Sequence, residues 1–230
     1  MINPLTLIAS PSPFALRLQV PARWFPSMLG VFGCMAIASQ ALAETNLRSS
    51  FPGRRVGGGT RGECTARLVA HLVPKSNVFA PGSSGLIAIL QGPSANLNPL
   101  IVAFKPANAA GIVEPGVSML ESREIAPAPV GLVLLKAPGL GGVIQWESSY
   151  RCGGGVADPD PLNFVSAGAP PAVSLLVKAA EPVDRLLQAE LAKLKTYCGG
   201  TIPRDQVAKS FAFDEVLGSD WPTQLPVRCL

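Results

Sequence analysis

Short apolar runs, each stopped by proline or glycine, constrain this chain more than any other feature. They are TARLVAHLV (65–73), GLIAIL (85–90), PLIVAF (99–104), PVGLVLL (129–135) and GVIQWESSYRC (142–152). Runs this short suit strands rather than helices, and their β-branched residues favour a pleated sheet. Several alternate: Ala66, Leu68 and Ala70 oppose Arg67 and His71, while Ile144, Trp146 and Ser148 oppose Gln145 and Glu147. Strands recurring without helical periodicity between them predict a mainly β fold, an antiparallel β-sandwich over 62–178. Gly and Pro number 23 each in 230 residues, enough for many turns, and 48% hydrophobic residues can form a core. Aromatics are scarce at 6%, so Trp146 is expected to anchor that core rather than to stack on a ligand with Tyr150. No period repeats, which argues against a solenoid or a propeller.

One segment reads as a helix, residues 182–197. Pro182 suits its first position, with Glu181 before it and Asp184 in the first turn. Val183, Leu186, Leu187, Leu191, Leu194 and Cys198 fall on one stripe, and Gly199-Gly200 ends the run. A second, shorter helix is expected from Pro203 to about Ser210, and residues 171–180 are expected to form a strand. The tail 179–230 is therefore a small C-terminal helical appendage.

The N-terminus carries an address. Arg17 and Arg23 precede the uncharged run MLGVFGCMAIA (28–38), and Ala41-Leu42-Ala43 follows. A basic flank, a short apolar core and an A-x-A ending make a secretory signal peptide over 1–43, cleaved before Glu44. A bilayer span needs roughly 20 apolar residues, so this run is too short to cross. The lipoprotein alternative at Val31-Phe32-Gly33-Cys34 fits poorly, because Phe32 is bulky and the apolar run continues past the cysteine. Export predicts a periplasmic or extracellular protein with no membrane span after signal removal. Net charge falls from +4 to +2 once Arg17 and Arg23 are gone, too weak a balance to imply nucleic acid as a partner.

Export leaves Cys64, Cys152, Cys198 and Cys229, which allow three pairings. No close C-x-x-C pair exists and His71 is the sole histidine, so neither a metal nor a cofactor is expected. Cys198 ends the helix and Cys229 is next to last, which predicts Cys198–Cys229 and leaves Cys64 to meet Cys152. Residues 44–61 form a polar, glycine-rich leader before the sandwich.

Motifs for chemistry mostly fail on context. GGGTRG (57–62) matches G-x-G-x-x-G, but it precedes a strand and no acid follows between Cys64 and Glu114. As a P-loop counted from Gly53, it has Gly59 in the lysine position. Gly82-Ser83-Ser84-Gly85 lacks the spacing of a nucleophile elbow, and His71 lies in a strand-like run, where a structural role is expected. Asp158 and Asp160 lie in a proline-rich turn with Asn163 where a calcium loop needs glycine. The remaining candidate is an anion site on Arg54, Arg55, Gly57, Gly58, Gly59 and Arg61. Adjacent glycines can turn successive N–H groups into one concavity, with guanidinium groups beside it. The competing reading is a tight structural turn with solvated or acid-paired arginines.

RRVGGGTRGEC (54–64) and QWESSYRC (145–152) together resemble a cyanobacterial secreted family known only as a domain of unknown function. Arg55, Gly57, Gly58, Gly59, Thr60, Arg61 and Cys64 match its first motif, and Trp146 and Cys152 its second. The resemblance implies export and a shared disulfide, and carries no activity. The reading that follows is a non-catalytic envelope or extracellular binding module for an anionic surface polymer or another envelope protein. The alternative is a secreted hydrolase whose carboxylates meet only in the fold. A cleft holding two close acids would favour the hydrolase, and a basic groove the binder.

Overall fold

The computed structural model describes residues 47–58, 67–151 and 170–230. The signal-like segment 1–43, Gly59, Arg61, Cys64, Cys152, Asp158 and Asp160 lie outside them. Two sheets pack face to face. The first has six strands: β1 (Val56–Gly57), β2 (Val69–His71), β4 (Leu86–Gln91), β7 (Gly131–Lys136), β11 (Gln224–Cys229) and β10 (Thr201–Pro203), in that spatial order. The second has five: β3 (Val78–Phe79), β9 (Ala172–Leu176), β8 (Val143–Tyr150), β5 (Leu100–Ala107) and β6 (Glu121–Ile125). A β-sandwich is thus the fold, and each apolar run of the sequence supplies one of its strands.

Most pairings are antiparallel, as in β4–β7, where Ile87 faces Leu135 and Ile89 faces Val133. Two are parallel, β7–β11 and β3–β9, within a sandwich that is mainly antiparallel as expected. Parallel neighbours need long crossovers, and both pairs are far apart in sequence. Strands β10 and β11 belong to the six-stranded sheet, so the tail completes the sandwich as well as carrying helices.

Alternation holds where one face meets the other sheet. Ile144, Trp146 and Ser148 of β8 are buried, while Gln145 and Glu147 are half-buried. Strand β4 does not alternate, and all six of its residues are buried. Helix α1 (Pro182–Leu194) covers its second face, and a strand covered on both sides reads as a continuous apolar run. Helix α2 (Arg204–Phe211) packs beside α1.

The buried stripe of α1 is narrower than predicted. Leu187, Leu191 and Leu194 are buried, but Val183 is 43% exposed and Leu186 71%. Asp184, in the first turn as expected, is fully buried. Its Oδ2 accepts the Glu181 N–H at 2.8 Å and pairs with Arg48 Nη2 at 2.6 Å. Arg48 also donates to the carbonyls of Val78 and Ala179, each at 3.1 Å. Leu47 lies in a small second core with Val78, Ala80, Leu175 and Val177 on the outer side of the five-stranded sheet. The described part of the leader is therefore anchored in the fold from Leu47.

Candidate functional site

The one histidine lies between the sheets. His71 is 0% exposed and stacks on Trp146 with ring centroids 3.6 Å apart. Its Nδ1 is 2.9 Å from Ser174 Oγ and its Nε2 is 2.8 Å from Ser148 Oγ. Trp146 Nε1–H donates to that same Ser148 oxygen at 3.1 Å. The Ser148 hydroxyl accepts from Trp146 and can either donate to Nε2 or accept from it, according to the imidazole tautomer. Burial alone holds the His71 pKa well below its usual value, so the ring is neutral. A serine and a histidine at this distance resemble a nucleophile and its base. Here both are sealed from solvent, so the cluster joins the two sheets, and Trp146 anchors the core as expected.

The leader arginines separate. Strand β1 runs diagonally from one sheet to the other: the backbone of Arg54 pairs with Val173 of β9, with N–H···O distances of 2.8 and 2.7 Å, while Val56 and Gly57 pair with β2. A Cβ on Gly57 would lie 2.4 Å from the Ala172 nitrogen, so this close approach requires glycine. Gly58 has φ +109°, and its N–H donates to the Pro170 carbonyl at 3.0 Å. These glycines bring strands of both sheets together, and the Gly58 amide has a partner within the chain. Arg55 turns toward the tail: its Nη2 donates to the Ala212 carbonyl at 2.9 Å and its guanidinium lies 4.4 Å above the Phe213 ring. Arg54 points elsewhere and is exposed.

Arg54 borders a groove of about 470 Å³ on the outer side of the five-stranded sheet. Its walls are mainly apolar, formed by Phe51, Pro52, Ile112, Pro170, Pro171 and Val173, with Gln145 contributing an amide. Three distant segments meet there over Gln145 of β8: residues 51–54 of the leader, the β5–β6 connection and the entry to β9. Ile112 is 58% exposed, and Val117, Met119 and Leu120 of the same connection are also exposed. No motif marked these residues, since only the fold brings them to Arg54. A second cleft, about 450 Å³, lies between Gly82–Gly85 and residues 136–140, with the exposed Lys136 and Lys178 in its lining. Among the described residues, neither lining contains an aspartate or a glutamate. Glu121, Glu124, Glu147 and Glu190 each pair with a cation instead: Arg123, Arg151, Lys105 and Lys193.

Cys198 and Cys229 form a disulfide with their Cα atoms 5.6 Å apart, as predicted. The proposed Cys64–Cys152 bond lies outside the described residues. Among the described residues, no helix is long and apolar enough to cross a membrane, and no group of three or more His, Cys, Asp or Glu residues could hold a metal ion. No family model, curated protein or solved structure matches the chain.

Proposed function

We propose that this protein is an exported, non-catalytic binding module that holds an anionic surface polymer or another envelope protein in the Arg54 groove. The observation that carries this reading is the lining of the groove: a cation at the rim, apolar walls, and no acid among the described residues. Such a site suits a ligand with an uncharged body and a carboxylate, sulfate or phosphate, which a guanidinium can bind through two parallel hydrogen bonds. The hydrolase alternative called for two acids facing each other across a cleft. The acids named above face cations, which supports the binder. Export rests on the signal-like N-terminus, and the Cys198–Cys229 disulfide is compatible with an oxidising compartment.

The test is binding of the mature protein to an acidic polysaccharide over a salt series. Arg54→Ala is expected to weaken binding about tenfold and to flatten the salt slope, since a charge-assisted contact contributes about 1.5–3 kcal/mol. Arg55→Ala should lower stability through the loss of its contacts with Ala212 and Phe213 while leaving affinity unchanged. Equal affinity and salt slope in wild type and Arg54→Ala would remove the groove from consideration.

A further inference from the structure

Where β2 begins and β8 ends, two arginines lie near each other with no acid paired to either among the described residues. Arg67 is 4% exposed; its Nε donates to the Gly92 carbonyl at 2.9 Å and its Nη2 to the Ala128 carbonyl. Its guanidinium lies 4.5 Å above the Tyr150 ring. Arg228, half-buried on β11, donates to the Ala126 carbonyl at 2.8 Å and to Gln91 Oε1 at 2.6 Å. Among the described residues neither guanidinium meets a carboxylate. Two buried donors there, Arg67 Nη1 and Gln91 Nε2, make no hydrogen bond of normal geometry among the described residues, although both side chains lie close to the Tyr150 hydroxyl, which itself donates to the Leu68 carbonyl.

Native interiors rarely leave buried donors unpaired, and an unpaired donor beside a buried cation points to a missing acceptor. The charges agree: desolvation and then the nearby Arg67 both lower the pKa of Arg228, so the two cations repel across a region of low dielectric. Burial pushes the Tyr150 phenol up to about 12, so it supplies no negative charge at neutral pH. The carbonyls of Ala126 and Ala128 belong to the exposed connection between β6 and β7. They are neutral acceptors, and an oxyanion approaching from that side is a stronger acceptor for the same guanidinium groups.

We propose that Arg67, Arg228 and the Gln91 amide form a binding site for a small dianionic oxyanion of the sulfate or phosphate class. Two positive charges match a dianion, and Arg67 Nη1 and Gln91 Nε2 are the donors left for its oxygens. This site is separate from the Arg54 groove and stands or falls without it.

Thermal unfolding of the mature protein in sodium sulfate, with sodium chloride holding ionic strength constant, tests the proposal. The expected result is a saturable rise in Tm of about 5–10 °C at a hundredfold excess over Kd. Calorimetric titration should show one sulfate per chain, with sodium acetate giving a weaker response. Arg228→Gln should abolish the saturable rise, and Arg54→Ala should leave it intact. Gln91→Glu supplies the missing negative charge from within, so it should raise Tm in the absence of sulfate and remove the response to it. A Tm that follows ionic strength alone would overturn the site, as would a sulfate response that survives in both Arg228→Gln and Gln91→Glu.

Discussion

Burying an imidazole between two sheets removes the water that would solvate its cation, and both ring nitrogens of His71 already face serine hydroxyls. The unfolded chain binds a proton at this residue below about pH 6.5, whereas the folded chain, with its pKa held well below that value, does not. The stability contributed by neutral His71 is therefore complete above pH 6.5 and declines as pH falls toward the depressed folded pKa. The expected slope is about 1.4 kcal/mol per pH unit over the acid side of that window. Urea unfolding at pH 7.0, 6.0 and 5.5 measures it, with His71→Gln as the control that should lose this slope. Arg48 makes the opposite case, a buried charge paired with an opposite one. Removing it strands Asp184 at zero exposure, so Arg48→Ala should cost about 3–5 kcal/mol. An Arg48→Ala protein with wild-type stability would show that the leader contributes little to the fold.

At the scale of elements, what could be read from the sequence depended on how many faces were buried. Strand β8, buried on one face, showed its orientation in simple alternation. Strands β4 and β7 showed only that they were strands, because a continuous apolar run does not say which side meets the other sheet and which a helix. Helix α1 was placed correctly, but its stripe was read too wide. Leu186 and Leu187 lie about 100° apart around the helix, and a wide stripe drawn from spacing takes in both, so only the position of β4 decides between them. Leu191→Ala should therefore destabilise by about 2–5 kcal/mol, while Leu186→Ala stays within about 0.5 kcal/mol. Chemical denaturation of the two variants side by side checks this, and equal costs would mean that the helix docks through a different face. The groove was less legible still. Arg54 was picked out, but its neighbours at 110–113 and 170–173 carry no local signature, and a groove made by three chain segments has none to offer.

The whole molecule is closed by its last strand. Strand β11 lies between β7 and β10, pairing Val227 with Leu132 on one side and Leu225 with Ile202 on the other. The six-stranded sheet therefore cannot be completed until the final residues of the chain are in place, and contacts so distant in sequence slow folding. Cys229 ends this strand, and its bond to Cys198, 31 positions earlier, ties the strand to the segment just after α1. In the unfolded chain that bond closes a loop, and the chain-entropy account assigns it about 3–4 kcal/mol. Reduction, or paired Cys198→Ser and Cys229→Ser substitutions, should then lower Tm by roughly 10 °C. The location of the loss is more informative than its size. If β11 detaches, β7 becomes an exposed edge, open to pairing with another chain. Amide exchange at Leu132–Leu134 should accelerate more than at Val102–Phe104, and the reduced protein should aggregate at concentrations where the oxidised form stays monomeric. Uniform acceleration across both sheets would instead mean that the disulfide stabilises the sandwich as one cooperative unit, with no separate opening of its last strand.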